Sequence, residues 1–396
     1  MRWAPVIPLI GGFPLGSYYA TKEKPMAIYS YTAFEANDSH LTNYWDDVPY
    51  RRFDAEGEVS TLSEGLDFVV ATPPCAALSQ LNTGKTEEAK GVCAASTVWM
   101  YESIRDAVKY LDPKVIMGEN APALYTKKGL PVAEQLQDLA TELGYAFTLY
   151  KTNTRFHGIP QSRERTFYIL WKKDTAPVMN FYERNRDTFQ QYLSELAEDA
   201  MQNDIVINKK LTDEPQWRFL KARYKTDDPR SIISQRAITA HNYIMKSDLL
   251  SEYIEWITEN GTENEIRLAH HMKMKYDSGR GIWDSSVHVF SDVMNAVIGR
   301  NLNDTIHPKK DRSLTIREAL HMMGFPEDFE LVGGRSKLNH IAQNVPTCTA
   351  RDITYEVMKY LDDDLDDSGL PFMRQNNVKK TYDTPFTTGA TLESFI

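Results

Sequence analysis

Leu66-Asp67-Phe68-Val69-Val70-Ala71 runs directly into Thr72-Pro73-Pro74-Cys75. The apolar run is typical of a strand buried on both faces, and the two prolines indicate a rigid turn at its end. In open α/β sheets, ligands and reactive groups collect at that end of a strand. Cys75 is therefore either a nucleophile held at a strand end or an inert small hydrophobic residue.

Similar strand-like segments alternate with helical stretches over residues 1 to 171, which predicts a mainly parallel α/β sheet. The strand candidates are 27–31, 67–71, 114–118, 146–151 and 166–171, and the helix candidates are 98–111 and 132–143. From 172 to 304 the alternation stops, and polar helical stretches such as 189–201 and 247–260 replace it. A helix signature returns near 312, where Ser313 and Thr315 precede a helix predicted over 317–323.

The composition is that of a soluble globular protein, since 42% of the 396 residues are apolar and 25% are charged. This length predicts two domains, and no apolar run approaches the ~20 residues of a membrane span. Cys75, Cys93 and Cys348 form no CxxC pair, which argues against a disulfide framework or a metal site and favours a reducing compartment. We therefore expect a cytoplasmic protein that acts as a monomer and has no membrane partner.

Three further motifs suggest chemistry beside Cys75. A second apolar strand, 115–118, ends in Glu119-Asn120, and Gln161-Ser162-Arg163-Glu164-Arg165 precedes the strand that follows residue 165. Alternation along an extended segment points Gln161, Arg163 and Arg165 to one face. Near the amino terminus, a glycine-bearing loop, Ile10-Gly11-Gly12-Phe13, follows an apolar stretch.

Together and in this order, these motifs resemble the cytosine-C5 DNA methyltransferase family. The segments 312–318, 323–326 and Asn344-Val345-Pro346 extend the resemblance, which covers about residues 5–171 and 280–362. It implies a Rossmann-like, S-adenosylmethionine-dependent methyltransferase sheet with an inserted, smaller target-recognition domain. The expected division is a catalytic part over 1–171, a recognition region over 172–304, a return to the catalytic domain over 305–362, and a flexible tail over 363–396.

The resemblance implies covalent catalysis on cytosine. Cys75 would add to C6 of the ring, and Glu119 would hydrogen-bond N3 and the exocyclic amine as charge develops. Arg165 would contact O2 and orient Glu119, whereas Arg163 would contact phosphate. The alternatives are a helix cap or surface acid for Glu119 and a structural ion pair with Glu164 for the arginines.

S-adenosylmethionine is the implied methyl donor. The residues that the resemblance assigns to it are Ile10, Gly11, Gly12, Phe13, Glu35, Asp54, Pro74, Asn344 and Val345. Glycines would let the backbone approach the donor, Glu35 would accept hydrogen bonds from ribose hydroxyls, and Asp54 would lie on the adenine side. The loop departs from the family where Leu9 replaces an earlier glycine. The closing motif lacks the usual Gly-Asn pair and leaves Gln343 and Asn344 as alternatives.

Double-stranded DNA is the implied partner, with or without a cognate restriction endonuclease, and the target base would be flipped into the pocket. Ser79, in the loop over 76–97, and Gln161 would contact it. The net charge of −10 is not typical of a nucleic-acid binder, although a local basic groove can still bind. Such a groove is predicted between residues 208 and 230, where phosphate contacts are expected from Lys209, Lys210, Arg218 and Arg223. The alternative is a solvated helix face whose aromatic residues turn to the core.

Three functions fit these observations. The first is a DNA cytosine-C5 methyltransferase, the second applies the same chemistry to RNA or to a modified cytosine, and the third is a catalytically weak DNA-binding paralogue. The long 172–304 insertion favours duplex DNA, because recognition needs surface beyond the base pocket. The set Cys75, Glu119, Arg163 and Arg165 is intact and argues against the paralogue.

Overall fold

The computed structural model describes residues 1–74, 78, 95–197, 199–205, 207–234, 237–279, 287–298, 302–333 and 338–383. The chain divides into two compact units: Met1–Arg186 with Leu320–Ile396, which we call the catalytic unit, and Asp187–Ala319, which we call the inserted unit. The expected boundaries at 172 and 304 fall before the observed ones. Residues 172–186 belong to the catalytic unit because their backbone hydrogen-bonds to the strand over 372–376. For example, the Met179 N–H donates to Gln375 Oε1 at 2.9 Å.

The described strands are β1 Trp3–Val6, β2 Ile28–Ser30, β3 Tyr50–Arg52, β4 Phe68–Ala71, β5 Val115–Asn120, β6 Ala146–Asn153, β7 Gln161–Ser162, β8 Glu164–Trp171, β9 Met294–Asn295, β10 Phe372–Asn376 and β11 Thr381–Asp383. The described helices are α1 Gly12–Thr21, α2 Glu35–Tyr44, α3 Ala95–Leu111, α4 Leu130–Glu142, α5 Phe189–Leu193, α6 Pro215–Tyr224, α7 Arg230–Ile233, α8 Ala240–Lys246, α9 Leu250–Asn260, α10 Glu263–Asp277, α11 Ile316–His321, α12 Leu338–Ala342 and α13 Thr347–Leu361. No helix in this described part of the chain is long and apolar enough to span a membrane.

Nine strands form one sheet in the order β11-β10-β6-β8-β5-β4-β1-β2-β3. Strands β1 to β5 pair in parallel, whereas β8 runs antiparallel to both β5 and β6. The chain leaves β1 toward β2 on one side and later returns to β4 on the other. This reversal opens a crevice at the carboxyl ends of β1 and β4, which is where such sheets bind ligands.

The sheet is covered on both faces. On one face, Tyr168 and Leu170 of β8 pack in a buried cluster with residues of α3 and α4, such as Ile104 and Leu136. Side chains alternate along a strand, so Phe167, which precedes Tyr168, points to the other face, where its ring meets Phe13 of α1 edge-on. Trp171, on the same face as Phe167, contacts the ring of Tyr360 of α13 at 4.7 Å. Helices α1 and α13 therefore cover the second face, and the catalytic unit has three layers.

The inserted unit is mainly helical. Its core contains buried residues of α6 to α10, and Thr315 begins α11 with a capping box. In that box the Glu318 N–H donates to Thr315 Oγ1 at 3.1 Å, and the Thr315 N–H donates to Glu318 Oε2 at 2.9 Å. The signature near 312 thus marks a helix start, although α11 ends at His321 instead of 323. The helix predicted over 189–201 is also shorter and ends at Leu193.

Residues 363–383 differ from the flexible tail that we expected over 363–396, whereas 384–396 lie outside the described residues. Strand β10 pairs in parallel with β6 and in antiparallel with β11, so residues 372–383 extend the sheet. The physical reason is that β6 would otherwise leave an open edge. Gln375 and Asn377 are fully buried, and a run rich in buried amides carries no hydrophobic periodicity to reveal a strand.

We predict that Asn377→Ala lowers the free energy of unfolding by about 2–4 kcal/mol, because it leaves buried groups without partners. The Asn377 side chain donates to Thr152 Oγ1 at 2.9 Å and to the Tyr182 carbonyl, and accepts from the Tyr182 N–H at 2.7 Å. Urea denaturation measures the loss. The exposed Lys379→Ala is the control and should change stability by less than about 0.5 kcal/mol. Equal stability of both variants would mean that the segment is only loosely attached.

Candidate active site

The ends of β4 and β5 bring the Pro-Pro turn and Glu119 to the same edge of the sheet. Ala71 pairs with Gly118, so Thr72 lies level with Glu119 and leads into Pro73-Pro74. Gly118 must lack a side chain, because a Cβ there would clash with the ring of Tyr168. Cys75 and Ser79 lie outside the described residues, and their roles stay predictions.

Glu119 is a buried carboxyl with a guanidinium partner. Its side chain is 2% exposed, and Arg165 Nε lies 2.5 Å from Glu119 Oε1. Burial raises the pKa of Glu119 above the ordinary glutamate value, while the positive charges of Arg165 and Arg163 oppose that rise. The carboxyl is thus suited to holding a proton and to hydrogen bonding with a ring nitrogen. Its place inside β5 is inconsistent with a helix cap or a surface acid.

Glu164, the alternative ion-pair partner for the arginines, pairs with a lysine instead. Glu164 forms its ion pair with Lys151, whose Nζ lies 2.7 Å from Glu164 Oε2. Arg165 Nη1 donates to the Glu164 backbone carbonyl at 2.7 Å, while its Nε stays with Glu119. Arg165 is therefore positioned to orient Glu119, as the resemblance implies.

Arg163 has a different environment from the phosphate contact that we expected. It is 1% exposed, and its Nη2 donates to the carbonyls of Ala342 at 2.5 Å and Asn344 at 2.8 Å. Gln161 is also fully buried and donates to the Met322 carbonyl at 2.6 Å. A buried side chain bound to backbone carbonyls is not available to DNA phosphate. These two residues instead hold residues 320–346, which we call the return segment, against the sheet.

The return segment reaches the glycine loop through Asn344. Asn344 Oδ1 accepts the Gly12 N–H at 2.9 Å, and a Cβ on Gly12 would clash with the Val345 carbonyl. Gln343 is exposed, so Asn344 is the residue that meets the loop. Gly12 therefore makes room for Val345, whereas we expected it to make room for the donor. Phe13 is fully buried against Phe167 and serves the core.

The loop between β1 and α1 keeps a glycine-like backbone where it lacks glycine. Leu9 has φ +54° and Ile7 has φ +49°, both in the left-handed region, and Gly11 has φ +103°. Left-handed conformations are unusual for bulky residues and are costly for a β-branched one. Leu9 thus adopts the conformation that a glycine would adopt without strain.

Glu35 and Asp54 follow β2 and β3 and already have partners within the protein. Glu35 is the first residue of α2, and its Oε1 lies 2.5 Å from Arg52 Nη1. Asp54 accepts the Thr32 N–H at 2.9 Å and the Thr32 hydroxyl at 3.2 Å. Thr72 Oγ1, at the crevice, is buried and has no hydrogen-bond partner among the described residues. A free polar atom in the crevice and nearby carboxylates fit a donor that carries hydroxyl and amino groups.

A sequence model of the family C-5 cytosine-specific DNA methylase matches residues 10–359. The chain belongs to this family. It is 21% identical over 307 residues to the type II methyltransferase M.Bpa9945I of Bacillus paralicheniformis, and this alignment covers 68% of the chain but only 65% of that relative. It is 23% identical over 318 residues to the type II methyltransferase M.FnuDI of Fusobacterium nucleatum, and that alignment covers 77% of the chain and 80% of the relative.

A solved structure supports the fold of this family member. A candidate DNA modification methyltransferase encoded within an Escherichia coli prophage superimposes with a TM-score of 0.58 at 15% identity, covering 91% of this chain and 99% of the other. The Rossmann-like methyltransferase sheet predicted from the sequence is thus confirmed.

The basic cluster predicted in the inserted unit is largely neutralised by acids. Lys209 pairs with Asp304, Arg218 Nη2 lies 2.5 Å from Glu265, and Arg223 Nε lies 2.7 Å from Glu252. Lys210 is exposed. The aromatic residues between them, Trp217 and Phe219, are 3% exposed and belong to the core of the unit. The structure therefore favours the alternative of a solvated helix face.

A different basic surface escaped the sequence analysis. A cavity of about 180 Å³ in the inserted unit is lined by Lys309, Lys310, Arg312 and Arg317, together with Glu318. Lys309 and Lys310 are exposed, whereas Arg312 is bound bidentately by Glu318 at 2.7 and 2.9 Å. The sequence signal for this surface is the dense run of cations that follows Pro308. This run has no interleaved aromatic residues, so it did not match the nucleic-acid-binding pattern that we sought.

We predict that Glu119→Gln changes the pH dependence of stability. Because its pKa is raised above the ordinary value of 4.5, Glu119 holds its proton more tightly in the folded state than in the unfolded chain. The free energy of unfolding of the wild type therefore declines as pH rises above 4.5, and the variant lacks this decline. Between pH 5 and 8 the difference in the free energy of unfolding should therefore shift in favour of Glu119→Gln as the pH rises.

Urea denaturation at several pH values measures this shift. Glu134→Gln, on the exposed side of α4, is the matched control and should stay parallel to the wild type. A constant difference between Glu119→Gln and the wild type across the range would show that burial does not raise the pKa of Glu119.

Proposed function

We propose that this protein transfers a methyl group from S-adenosylmethionine to C5 of a flipped-out cytosine in duplex DNA. The proposal rests mainly on the buried Glu119–Arg165 pair, which lies at the sheet edge where the Pro-Pro turn leads toward Cys75. Family membership and relatives named as type II methyltransferases support cytosine in DNA as the substrate. In that role we expect a cytoplasmic monomer that acts with or without a cognate restriction endonuclease.

The chemistry begins with the thiolate of Cys75. Its sulfur forms a bond to C6, and the displaced electron pair of the C5–C6 double bond makes C5 nucleophilic. Glu119, protonated, donates to N3 and stabilises the negative charge that develops on the ring, and Arg165 keeps the carboxyl in place. The donor, when bound, would supply an electrophilic methyl carbon and would leave as a thioether, because its sulfonium–carbon bond would break as the bond from C5 forms. After C5 has been methylated, a base removes the C5 proton, the double bond re-forms, and the C6–S bond breaks to release the thiolate.

The raised pKa of Glu119 suits this role. A neutral carboxyl can donate a hydrogen bond to N3, whereas a carboxylate would repel the charge that develops there. Arg165 prevents the opposite extreme, because an isolated buried carboxyl would hold its proton too tightly to return it. The pair thus keeps Glu119 able to donate and to recover a proton during one cycle.

We predict that the wild type forms a denaturation-resistant adduct with duplex DNA containing 5-fluorocytosine, because fluorine cannot leave as a cation and the C6–S bond persists. Cys75→Ser should form no adduct. Cys348→Ser is the matched control, since burial raises the pKa of the Cys348 thiol to about 12 and makes it inert. Denaturing gel electrophoresis in the presence of S-adenosylmethionine measures the shift.

The other outcomes distinguish the alternatives. An adduct with single-stranded 5-fluorocytosine RNA but not with DNA would favour the RNA reaction. Persistence of the adduct in Cys75→Ser would remove Cys75 from the mechanism. Tight DNA binding by the wild type without any adduct would favour a DNA-binding paralogue.

We further predict that phosphate is contacted by Lys309 and Lys310. Alanine at both positions should reduce the slope of log affinity against log salt by about 1 to 2, because each lost phosphate contact removes about 0.9. Glutamine at Arg218 and Arg223, which are paired with acids, is the control and should leave the slope unchanged. Fluorescence anisotropy with duplex DNA at several salt concentrations measures both. The reverse result would restore the cluster predicted from the sequence.

A further inference from the structure

We propose that His157 is a positioning residue for Arg165, which it holds in place through Thr152 of β6. His157 is fully buried in the turn over residues 154–160, which joins β6 to the segment that carries the site arginines. The inference rests on the proposed function, because Arg165 is the partner of Glu119 in that reaction. A ring buried in this way acts only through its neighbours.

His157 belongs to a hydrogen-bonded chain of four fully buried side chains. Its Nδ1 lies 2.9 Å from Asp352 Oδ2 of α13, and its Nε2 lies 2.7 Å from Thr152 Oγ1. The Asn377 side chain donates to the same Thr152 oxygen at 2.9 Å. Buried polar groups are costly unless they are bonded, so each member of the chain depends on the next. The chain thus joins α13, the turn, β6 and the residue after β10.

The partners determine which atom of each pair carries the proton. Asp352 accepts from Arg184 Nε at 2.8 Å and from Arg351 Nε at 3.3 Å. Burial raises the pKa of Asp352, but the bonds from His157 and Arg184 outweigh burial and lower it overall. Asp352 is therefore a carboxylate that accepts the proton on His157 Nδ1. Burial lowers the pKa of His157 more than this carboxylate raises it, so the ring is neutral and its Nε2 accepts the Thr152 hydroxyl proton.

This order of hydroxyl, imidazole and carboxylate is also the order of a nucleophilic triad. Thr152 is fully buried within β6, however, so no substrate can reach its hydroxyl. The chain is therefore suited to fixing a geometry and not to attacking a substrate.

The geometry that it fixes is the one beside the buried ion pair. Thr152 is paired with Arg165 across β6 and β8, and Glu119 is paired with Phe167 across β5 and β8. Directly paired residues point to the same face of a sheet, and so do residues two apart along a strand. Thr152, Arg165 and Glu119 therefore share one face. The bond to His157 thus fixes a direct neighbour of Arg165.

The turn is attached to α13 at a second point. The Thr349 hydroxyl donates to the Thr154 hydroxyl at 3.4 Å, and the Thr154 N–H donates to the Arg163 carbonyl at 2.9 Å. Thr349 and Asp352 are three residues apart and so lie on one face of the helix. The turn therefore has two anchors on α13 and is bonded to the arginine segment.

The two bonds of the His157 ring consequently have different effects. Without the bond to Asp352, the turn would stay attached to α13 through Thr349. Without the bond to Thr152, the buried hydroxyl beside Arg165 would lose the acceptor of its proton and would have to turn. Arg165 would then be displaced from Glu119, so the chemical step would slow while DNA binding remained.

The test compares two substitutions that each keep one bond. Asparagine can place its amide nitrogen where Nδ1 lies, so His157→Asn keeps a donor for Asp352 and loses the contact with Thr152. Glutamine can place its amide oxygen where Nε2 lies, so His157→Gln keeps the contact with Thr152 and loses that with Asp352. Methyl transfer from radiolabelled S-adenosylmethionine to unmethylated bacterial genomic DNA gives kcat and KM, and urea denaturation gives the stability midpoint.

We expect kcat and stability to separate. His157→Asn should lower kcat about 10-fold and change the KM for DNA less than about threefold, because Arg165 acts on the chemical step. His157→Gln should keep kcat within about threefold of the wild type. It should nevertheless have the lower urea midpoint, because it leaves the buried Asp352 with one donor fewer.

The pH profile of kcat gives a second readout. The charge of Arg165 opposes the raised pKa of Glu119, so a displaced Arg165 lets that pKa rise further. Glu119 would then keep its proton to higher pH, and the decline of kcat with rising pH should move upward in His157→Asn alone. An unmoved decline would show that His157 does not act through Arg165.

Tyr145→Phe is the matched control. It removes a buried hydrogen bond to the Pro113 carbonyl, 2.6 Å long, at the opposite end of β6. It should lower the urea midpoint and leave kcat and its pH profile unchanged. If kcat instead followed the urea midpoint across all three variants, His157 would only stabilise the fold, and the inference would be wrong.

Hydrogen exchange without DNA or donor tests the inference independently of activity. Amides in the peptide over 161–167 should exchange faster in His157→Asn than in His157→Gln or the wild type. If the wild type transfers no methyl group to DNA, the proposed function fails, while the exchange result still decides the role of His157. Equal exchange in both His157 variants would overturn that role.

Discussion

The hydrogen bond from the Gly12 N–H to Asn344 Oδ1 is the contact on which the catalytic unit depends. It joins residues 332 positions apart, because the unit is built from both ends of the chain with 187–319 between them. Gly12 can carry no side chain there, since the Val345 carbonyl occupies the space of a Cβ. From the other side, Arg163 binds the Asn344 carbonyl. The return segment is therefore held between the loop over residues 7–12 and the segment over 161–165 that carries the site arginines, so a shift in one would displace the other.

The electrostatics of the site depend on which carboxylate pairs with Arg165. Two glutamates lie near Arg165, but Glu164 forms an ion pair with Lys151, whose Nζ lies 2.7 Å from Glu164 Oε2. Arg165 thus keeps its Nε for Glu119, where burial and a single close guanidinium act in opposite directions on the pKa. With a second close cation the Glu119 carboxyl would be fully ionised, and without any close cation it would stay protonated. Arg163 contributes its charge from farther away while its hydrogen bonds are committed to carbonyls.

The sequence was sufficient for the parts of this site that lie at strand ends. The run into Glu119 is apolar and short, and such runs become buried parallel strands whatever the loops do. The partners of Arg163 could not be predicted, because they are backbone carbonyls about 180 residues away and carbonyls have no sequence signal. The strand containing Gln375 was missed for a related reason, since its burial depends on amide hydrogen bonds and not on apolar periodicity. Arg218 resembled a phosphate ligand because its acid, Glu265, lies on another helix.

The departures from the family pattern lie close together in the structure, and this makes them intelligible. Leu9 adopts a left-handed backbone, φ +54°, at the position where the family has a glycine. The missing Gly-Asn pair is compensated in the same loop, because the Asn344 side chain accepts the Gly12 N–H. The left-handed Leu9 and the bond from Gly12 to Asn344 thus give this loop a glycine-like backbone without the glycine pattern of the family.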